Sequence, residues 1–277
     1  MPGSDAEARW LTPDWPAPPS VRAVCSTRIG GVSSGPYAGC NLGDHVGDEP
    51  ALVAANRAHF VQSLAGARAV FLQQVHGVDC VQIDAQTPDA TVADAAWTRD
   101  VQVACTIMVA DCLPVLLTRR DGRMVAAAHA GWRGLAGQGG VGVLDQVLVH
   151  FRDPALANAA QIAMNSVAKS SESDGAEVIA WLGPCIGPDA FEVGPEVKAA
   201  FEAGGAEAAQ FFRPSPGGKF QADLAGLARQ RLTRAGIAAI YGNDGSRAWC
   251  TVSNPSRFFS HRRDRVSGRF AASIWRT

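Results

Sequence analysis

The sequence predicts a layered α+β fold formed by one large domain. Short apolar segments typical of strands are mixed with a few amphipathic segments typical of helices, and several strand segments follow one another without a helix between them. That order favours a layered α+β arrangement over a doubly wound parallel sheet. The length of 277 residues slightly exceeds the usual size of one domain, and a hydrophobic content of 47% can fill a sizeable core. The sequence contains no GxGxxG or P-loop motif, and this absence weakens the case for a nucleotide-cofactor fold.

The N-terminal third begins with a proline-rich segment, residues 1–20, which predicts an extended lead-in to a single domain over residues 21–277. Pro50 suits the first turn of a helix over ALVAANRAHFVQSLAG, after the polar loop CNLGDHVGDEP. The strand segments of this third are VRAVCSTR, ARAVFLQQVHG and DCVQID. The second and third of these meet near Gly77.

The middle of the chain contains VQVACTIMVADCLPVLLTRR, which is too polar at Asp111 to be one strand. Pro114 also removes a backbone donor there, so the segment predicts two strands with a bend or bulge at ADCLP. A turn at Asp121–Gly122 leads into the strand RMVAAAHAG, and GVLDQVLVHF follows as a helix. Residues 160–175 end in a serine-rich patch that predicts a surface loop or insertion.

The last third begins with the strand EVIAWLGPCIG and continues with two amphipathic helices, GPEVKAAFEAG and ADLAGLARQRLTRAG. Gly236 is placed to end the second helix. The remaining segments predict short strands that close the chain. They are IAAIYG, AWCTVS, RFFSHRRD and GRFAASIW.

Composition excludes several classes of protein. A formal net charge of −1 does not indicate nucleic-acid binding. The seven cysteines include no CxxC pair and predict reduced thiols. The acidic, proline-containing N-terminus does not resemble a signal peptide, and no apolar window approaches the roughly 20 residues of a membrane span. We therefore expect a soluble cytoplasmic protein without nucleic-acid or membrane partners.

Three residues that can bind a metal lie at the ends of predicted strands. His76, Cys112 and His129 each precede a glycine or lie at a proline-marked bend, and together they form a reasonable zinc set with a fourth position open. Cys112 could instead be a nucleophile activated by one imidazole, and each residue could have a purely structural role. Asp111 could orient a histidine or accept a proton as a catalytic residue, or it could be a turn or capping carboxylate.

Candidate substrate-binding residues lie in the glycine-rich segments. Arg28 precedes IGG and Arg133 lies in a glycine-flanked turn, where each could bind an anion, and SHRRD contributes two further arginines. Asn41 and His45 could hydrogen-bond a sugar or a base. Asn41 could equally be a turn residue.

Several long motifs, in order, resemble the bacterial laccase-domain family, also called the multicopper polyphenol oxidoreductase or purine nucleoside phosphorylase family, of the peptidoglycan-editing-factor type. They are CNLGDHVGDEP, QQVHG, ADCLPVLL, AAAHAGWRGL, WLGPCIGPDAFEVG, and FFSHRRD followed by GRFAASIW. The resemblance spans residues 21–275. It implies a sandwich of stacked mixed sheets flanked by helices, related to cytotoxic-factor-like cysteine hydrolases. His261 stands where the family frequently has tyrosine.

The resemblance also implies a zinc site formed by His76, Cys112 and His129, with copper as an alternative metal. The implied activity is phosphorolysis of adenosine, inosine, guanosine and methylthioadenosine, together with adenosine deamination. Arg28 and Arg133 would then hold phosphate. A monomer or a weak homodimer is expected.

Three alternative functions remain at this point. One is peptidoglycan editing, in which zinc or the Cys112 thiolate would remove L-Ser from UDP-MurNAc-L-Ser. Another is copper-based phenol oxidation, which requires on the order of ten histidine ligands, whereas the chain has six histidines. The third is a non-catalytic module stabilised by zinc, which requires a fourth ligand such as Cys250 or His45.

Overall fold

The computed structural model describes residues 9–151 and 178–277. The predicted loop over residues 160–175 and the start of the lead-in lie outside these ranges. The strands of the described residues form three sheets. They are β1 (Trp10–Leu11), β2 (Val21–Ser26), β3 (Arg68–Phe71), β4 (Cys80–Gln82), β5 (Ala95–Thr98), β6 (Val103–Val109), β7 (Leu113–Arg119), β8 (Val125–Ala130), β9 (Val178–Leu182), β10 (Glu192–Val193), β11 (Phe212–Ser215), β12 (Lys219–Ala222), β13 (Ala239–Gly242) and β14 (Phe270–Arg276).

Six α-helices lie within the same described residues. They are α1 (Pro50–Gln62), α2 (Trp132–Ala136), α3 (Val143–Phe151), α4 (Pro195–Glu202), α5 (Leu224–Arg234) and α6 (His261–Asp264). Pro50 begins α1 as predicted, because its missing N–H would have no partner inside the helix. Gly236 follows the end of α5 with a φ of 89°, a conformation that glycine adopts without steric cost. None of these helices has the length and apolar character needed to cross a membrane.

The two large sheets are both mixed. The five-stranded sheet has the order β1-β2-β14-β6-β3, and the six-stranded sheet has the order β13-β9-β7-β8-β5-β4. Most neighbours are antiparallel, but β3–β6, β4–β5 and β9–β13 are parallel. A third sheet, β10-β12-β11, is small. Its strands were not predicted from the sequence.

The large sheets stack face to face. Ile107 of the five-stranded sheet packs in one buried cluster with Leu116 and Ala127 of the six-stranded sheet. The next residue on β6, Met108, faces the opposite side and packs with Phe60 of α1. This alternation follows from the two-residue period of a strand, which sends successive side chains to opposite faces.

The outer face of the six-stranded sheet is covered by helices. Val115 and Leu117 of β7 pack there with Val147 of α3 and Leu227 of α5. The order of layers is therefore α1, the five-stranded sheet, the six-stranded sheet, and a second helical layer. The predicted layered mixed fold is confirmed.

The bend predicted at ADCLP is the point where the chain crosses from one sheet to the other. β6 ends in the five-stranded sheet and β7 begins in the six-stranded sheet, with Asp111 between them at a φ of 90°. Pro114 lies within β7, opposite His129 of β8, and its carbonyl accepts a hydrogen bond from Gly183. The crossing places the residues of this bend at the end of the layer between the sheets.

The two strands predicted on either side of Gly77 are present as β3 and β4, and they lie in different large sheets. Two other local predictions were wrong. AWCTVS contains the 3₁₀ turn Arg247–Trp249 instead of a strand. RFFSHRRD ends in α6, because the Ser260 hydroxyl accepts a hydrogen bond from the Arg263 backbone N–H and caps a helix start.

Candidate metal centre

The structure brings His76, Cys112 and His129 together. One potential ligand atom from each lies within 4.8 Å of the others, and the distance from Cys112 Sγ to His76 Nε2 is 3.8 Å. The two imidazole rings have centroids 4.7 Å apart and are nearly perpendicular. His129 is buried, Cys112 is half-buried and His76 is exposed. The cluster therefore extends from the core to a solvent-accessible edge.

The strand pattern explains how the cluster forms. Ala128 and Ala130 of β8 face the helix-covered core, so His129 between them faces the layer between the two sheets. Cys112 immediately precedes β7 and packs against the core between the sheets. His76 reaches the same place from the loop after β3, with its backbone at a φ of 61°. Two neighbouring strands and one loop thus supply the three side chains.

Asp94 holds this arrangement in place. Its Oδ1 accepts hydrogen bonds from His129 Nδ1 at 2.7 Å and from the His76 backbone N–H at 2.9 Å. Its Oδ2 accepts hydrogen bonds from the backbone N–H groups of Val75 and Gly77, at 3.2 and 2.6 Å. Because Nδ1–H of His129 donates to this carboxylate, its Nε2 is left as the nitrogen that can bind a metal.

Sequence reasoning missed Asp94. The residue is fully buried, and a buried carboxylate is costly unless it is paired and hydrogen-bonded. A signal was present in the segment VADAAW, where a single acid stands among small apolar residues just before β5. Such an acid indicates a buried partner, but the sequence does not identify that partner as His129.

The electrostatics of the cluster favour a thiolate beside a charged imidazole. Burial by itself would raise the pKa of Cys112, but positive charge on His129 and hydrogen bonds from both imidazoles lower it below its ordinary value. Burial would lower the pKa of His129, but the Cys112 charge and the Asp94 hydrogen bond raise it. The surroundings therefore stabilise the deprotonated sulfur, the form that binds metals.

The donor set fits a zinc ion. One thiolate and two imidazoles are ligands that zinc prefers, and three protein ligands leave a coordination position for water or substrate. The same set also suits copper, so it does not fix the identity of the metal. Neither candidate for a fourth ligand belongs to the cluster of the described residues. Cys250 is buried and accepts a hydrogen bond from the Gly187 N–H, and His45 lies elsewhere on the cavity wall.

The cluster opens into a cavity of about 430 Å³. Part of its wall is apolar and includes Trp132, Ile186 and Phe191. Asp111 is the only acidic residue of the described chain on this wall. The basic side chains on the wall, apart from the two histidines of the cluster, are His45, Arg133, His261, Arg262, Arg265 and Arg269. The cavity therefore suits an anionic ligand that also has an apolar or aromatic part.

Asp111 lies on the cavity wall, and both of its carboxylate oxygens accept hydrogen bonds from the protein. Its Oδ1 accepts a hydrogen bond from Thr251 Oγ1 and its Oδ2 accepts one from the Arg262 backbone N–H, both at 2.6 Å. The carboxylate thus binds the backbone at the start of α6, as expected for the capping carboxylate that the sequence also allows. The histidine-orienting role belongs to Asp94.

Arg28, which the sequence predicts to bind phosphate, lies away from the cavity wall. Its guanidinium donates to the carbonyl oxygens of Ala38 and Pro255 and lies over the ring of Phe259, at 4.7 Å from the centroid. Because the glycine-rich turn folds back on the C-terminal segment, this arginine joins two loops instead of facing a ligand.

Asn41, for which the sequence leaves open a sugar-binding role and a turn role, does not lie on the cavity wall. Asn41 is fully buried, and its side chain donates to the Gly43 carbonyl and the Asp48 carboxylate. It is the turn residue of the alternative interpretation. His45 and Arg133, by contrast, do lie on the cavity wall.

Replacing Gly131 with alanine is expected to weaken metal binding without unfolding the protein. A Cβ at this position would lie 2.9 Å from Cys112 Sγ and 3.1 Å from His76 Cδ2, whereas the backbone φ of −65° tolerates alanine. Because the two side chains must move apart, we expect zinc affinity to fall by about tenfold in a chelator competition.

The matched control for this prediction is Gly204→Ala. A Cβ there would meet nothing closer than the Phe201 carbonyl oxygen at 3.4 Å. This variant should bind zinc like the unmodified protein. Equal zinc affinity in both variants would mean that the space beside Gly131 does not control the cluster.

Comparison with known proteins agrees with the earlier resemblance. The sequence model of the family described as multi-copper polyphenol oxidoreductase laccase matches residues 22–277. A purine nucleoside phosphorylase of Pseudomonas aeruginosa is 46% identical over 268 residues, which cover 96% of this chain and 98% of the relative. The purine nucleoside phosphorylase YfiH of Escherichia coli is 42% identical, with 97% and 99% covered.

Solved structures share the fold over nearly the full length. A Neisseria meningitidis protein with 43% identity superposes with a TM-score of 0.77 and covers 97% of this chain and 99% of its own. YlmD from Geobacillus stearothermophilus has 28% identity and a TM-score of 0.78, with 97% and 96% covered. With this fold and the family match over residues 22–277, the chain belongs to the multi-copper polyphenol oxidoreductase laccase family.

Proposed function

We propose that this protein is a zinc-dependent purine nucleoside phosphorylase that acts on adenosine, inosine, guanosine and methylthioadenosine, and that it also deaminates adenosine. The observation that carries the proposal is the opening of the His76–Cys112–His129 cluster into a cavity that is both basic and partly apolar. The names of the Pseudomonas and Escherichia relatives support the same activity.

His76, Cys112 and His129 would hold the metal. A zinc ion bound there would supply Lewis-acid activation of a water molecule or of a substrate atom. Asp94 keeps His129 in the tautomer that presents Nε2 to the cavity, and the burial of His129 limits the freedom of its ring. The protein thus prepares the ligand set before substrate binds.

The apolar part of the wall would bind the purine ring. Trp132 is half-buried at the start of α2, and Phe191 and Ile186 lie on the same cavity wall. An aromatic and aliphatic wall of this kind stacks against a planar base and excludes water from it. The nucleoside would therefore lie with its base against this wall.

Arg133 would hold phosphate against the ribose. It is exposed on the cavity wall, and its guanidinium lies 4.5 Å from the centroid of the Trp132 ring. In phosphorolysis a phosphate oxygen forms a bond to C1′ while the bond from C1′ to N9 breaks, and the bonding electrons leave with the base. The products are the free purine and ribose-1-phosphate. A planar arginine fork binds phosphate well and keeps it in position for this displacement.

The test is an assay of inosine with inorganic phosphate on zinc-loaded protein. We expect hypoxanthine and ribose-1-phosphate in equal amounts, with no hypoxanthine when phosphate is omitted. Adenosine run in parallel separates the two activities, since phosphorolysis yields adenine and deamination yields inosine. Absence of both products with zinc-loaded and copper-loaded protein would refute the proposal.

Peptidoglycan editing, the removal of L-Ser from UDP-MurNAc-L-Ser, is the second candidate. The observation in its favour is the number of basic side chains on the cavity wall, which exceeds what one phosphate requires and would suit a diphosphate. Cleavage of this precursor at a much higher kcat/KM than any nucleoside would favour editing over phosphorolysis.

We further propose that the protein works in the cytoplasm as a single domain over residues 21–277, as a monomer or a weak homodimer. All seven cysteines lie in the described residues and are free, which supports a reducing compartment. Within residues 9–20, Trp10 and Leu11 pair with β2, so this part of the lead-in is joined to the five-stranded sheet.

A further inference from the structure

Arg265 has an unusual backbone conformation. It follows α6 with a φ of 64° and a ψ of −58°, and the Val266 N–H donates to the Asp264 carbonyl across it at 2.7 Å. This is a γ-turn of the rare type with positive φ at its centre, which is strained for a residue that carries a Cβ. Glycine would adopt the same conformation at a lower cost. An arginine at this position therefore reduces the stability of the fold.

No polar contact of the Arg265 side chain with the described protein compensates for this strain. The side chain lies on the cavity wall, and within residues 9–151 and 178–277 it has no hydrogen bond or ion pair. Arg262, three residues earlier, differs, because its guanidinium donates to the carbonyl oxygens of Ala190 and Glu192. Strained residues are concentrated at functional sites, where the strain is part of the function. Arg265 combines such strain with a position on the cavity wall.

Arg269 supplies a second guanidinium on the same wall. Its Nη1 donates to the carbonyl oxygens of Ser267 and Gly268, whereas Nε and Nη2 have no partner within the part of the chain that the structure describes. Burial lowers the pKa of Arg269, and the negative charges of the Cys112 thiolate and the Asp111 carboxylate act in the opposite direction. Arg269 and the metal cluster line the same cavity.

No acid on the described part of the wall forms an ion pair with either of these two arginines. Asp111 is the only acidic residue of the described cavity wall, and both of its oxygens already accept hydrogen bonds from Thr251 and Arg262. Two guanidiniums with unpaired N–H donors next to a cavity are well suited to a tetrahedral oxyanion. The cavity wall therefore has an excess of positive charge near Arg265 and Arg269, which favours a bound anion there.

We propose that Arg265 and Arg269 form the subsite that binds inorganic phosphate. The choice of phosphate as the ligand rests on the proposed phosphorolysis, whereas the anion subsite itself rests on the two arginines. Arg133 lies on a different element, α2, and would contact the same anion or the nucleoside from its own side. Arg28, the other arginine predicted to hold phosphate, does not lie on this wall.

The test compares Arg265→Gly and Arg265→Gln with the unmodified protein. Phosphate binding is measured by calorimetry on zinc-loaded protein without nucleoside, and stability is measured as Tm. We expect both variants to bind phosphate about tenfold more weakly or worse, as for the loss of a charge-assisted hydrogen bond. Arg265→Gly should have an equal or higher Tm, because it relieves the strained turn. Arg269→Gln should weaken phosphate binding in the same way.

Arg22→Gln is the matched control, since Arg22 is an exposed arginine on β2 away from the cavity wall. It removes the same charge and should leave phosphate affinity unchanged. An unchanged affinity in Arg265→Gly and Arg265→Gln, or no saturable phosphate binding by the unmodified protein, would overturn the subsite. A lowered Tm in Arg265→Gly with unchanged affinity would assign the residue a structural role instead.

The kinetic experiment separates this inference from the proposed function. If the protein phosphorolyses inosine, the KM for phosphate should rise about tenfold in Arg265→Gln while the KM for inosine stays the same. Phosphorolysis with an unchanged phosphate KM would overturn the subsite and leave the proposed function standing. Arg265-dependent phosphate binding without ribose-1-phosphate formation would overturn phosphorolysis and leave the anion subsite standing.

Discussion

Cys112→Ala is expected to lose stoichiometric zinc and all measurable turnover while remaining folded. The substitution removes the only sulfur ligand of the cluster and leaves two imidazoles, one of them exposed. Loss of the hydrogen-bonding partner of a metal ligand typically lowers metal affinity by roughly 10- to 100-fold. Loss of the ligand itself should lower zinc affinity by more than that. The fold should survive because Cys112 is half-buried and precedes β7 instead of packing inside it.

The measurements for Cys112→Ala are metal content after dialysis, inosine phosphorolysis and the thermal unfolding curve. Cys80→Ala is the matched control, because Cys80 is a partly buried free cysteine outside the cluster. The control should retain both zinc and turnover. Undiminished zinc in Cys112→Ala would show that the metal ligands lie elsewhere.

Asp94→Asn is expected to impair metal binding and stability together. The Asp94 carboxylate accepts four hydrogen bonds, from His129 Nδ1 and from three consecutive backbone N–H groups at residues 75–77. An asparagine side chain has one acceptor oxygen, and its amide N–H groups would face donors. We expect zinc affinity to fall by roughly 10- to 100-fold. The free energy of unfolding should fall by about 2–4 kcal/mol, because buried donors lose their partners.

Chelator competition and denaturant unfolding measure the two effects of Asp94→Asn. The control is Asp89→Asn, since Asp89 accepts a hydrogen bond from the Phe71 backbone N–H and an amide oxygen can replace that acceptor. Asp89→Asn should retain zinc affinity. If Asp94→Asn lowers stability and leaves zinc affinity unchanged, Asp94 supports the loop alone and does not position the metal ligands.

Much of the fold was accessible from the sequence because strands and helices have different hydrophobic periods. The apolar segments around Ile107 and Val115 predicted strands, and Pro50 and Gly236 marked helix ends that the structure has. Sheet membership was not accessible, since pairing depends on contacts distant in sequence. The two strands near Gly77 illustrate this, because they are neighbours in sequence and lie in different sheets.

In the candidate site, too, local sequence features could be predicted and long-range contacts could not. His76, Cys112 and His129 could be selected because each is a ligand type at the end of an apolar strand segment. Asp94 was missed, because its importance comes from the donors that surround it and the chain supplies those donors from residues 75–77 and 129.

The sequence by itself determined the layered α+β class and the three candidate metal ligands, because both follow from local periodicity and residue chemistry. Only the tertiary structure decided which arginines face the cavity. Arg28 and Arg265 both lie near glycine or charged residues in sequence, yet the first is bound by main-chain carbonyls and the second lies on the cavity wall. The reason is physical: a side chain's residue type fixes what it can bind, and long-range packing fixes what it meets.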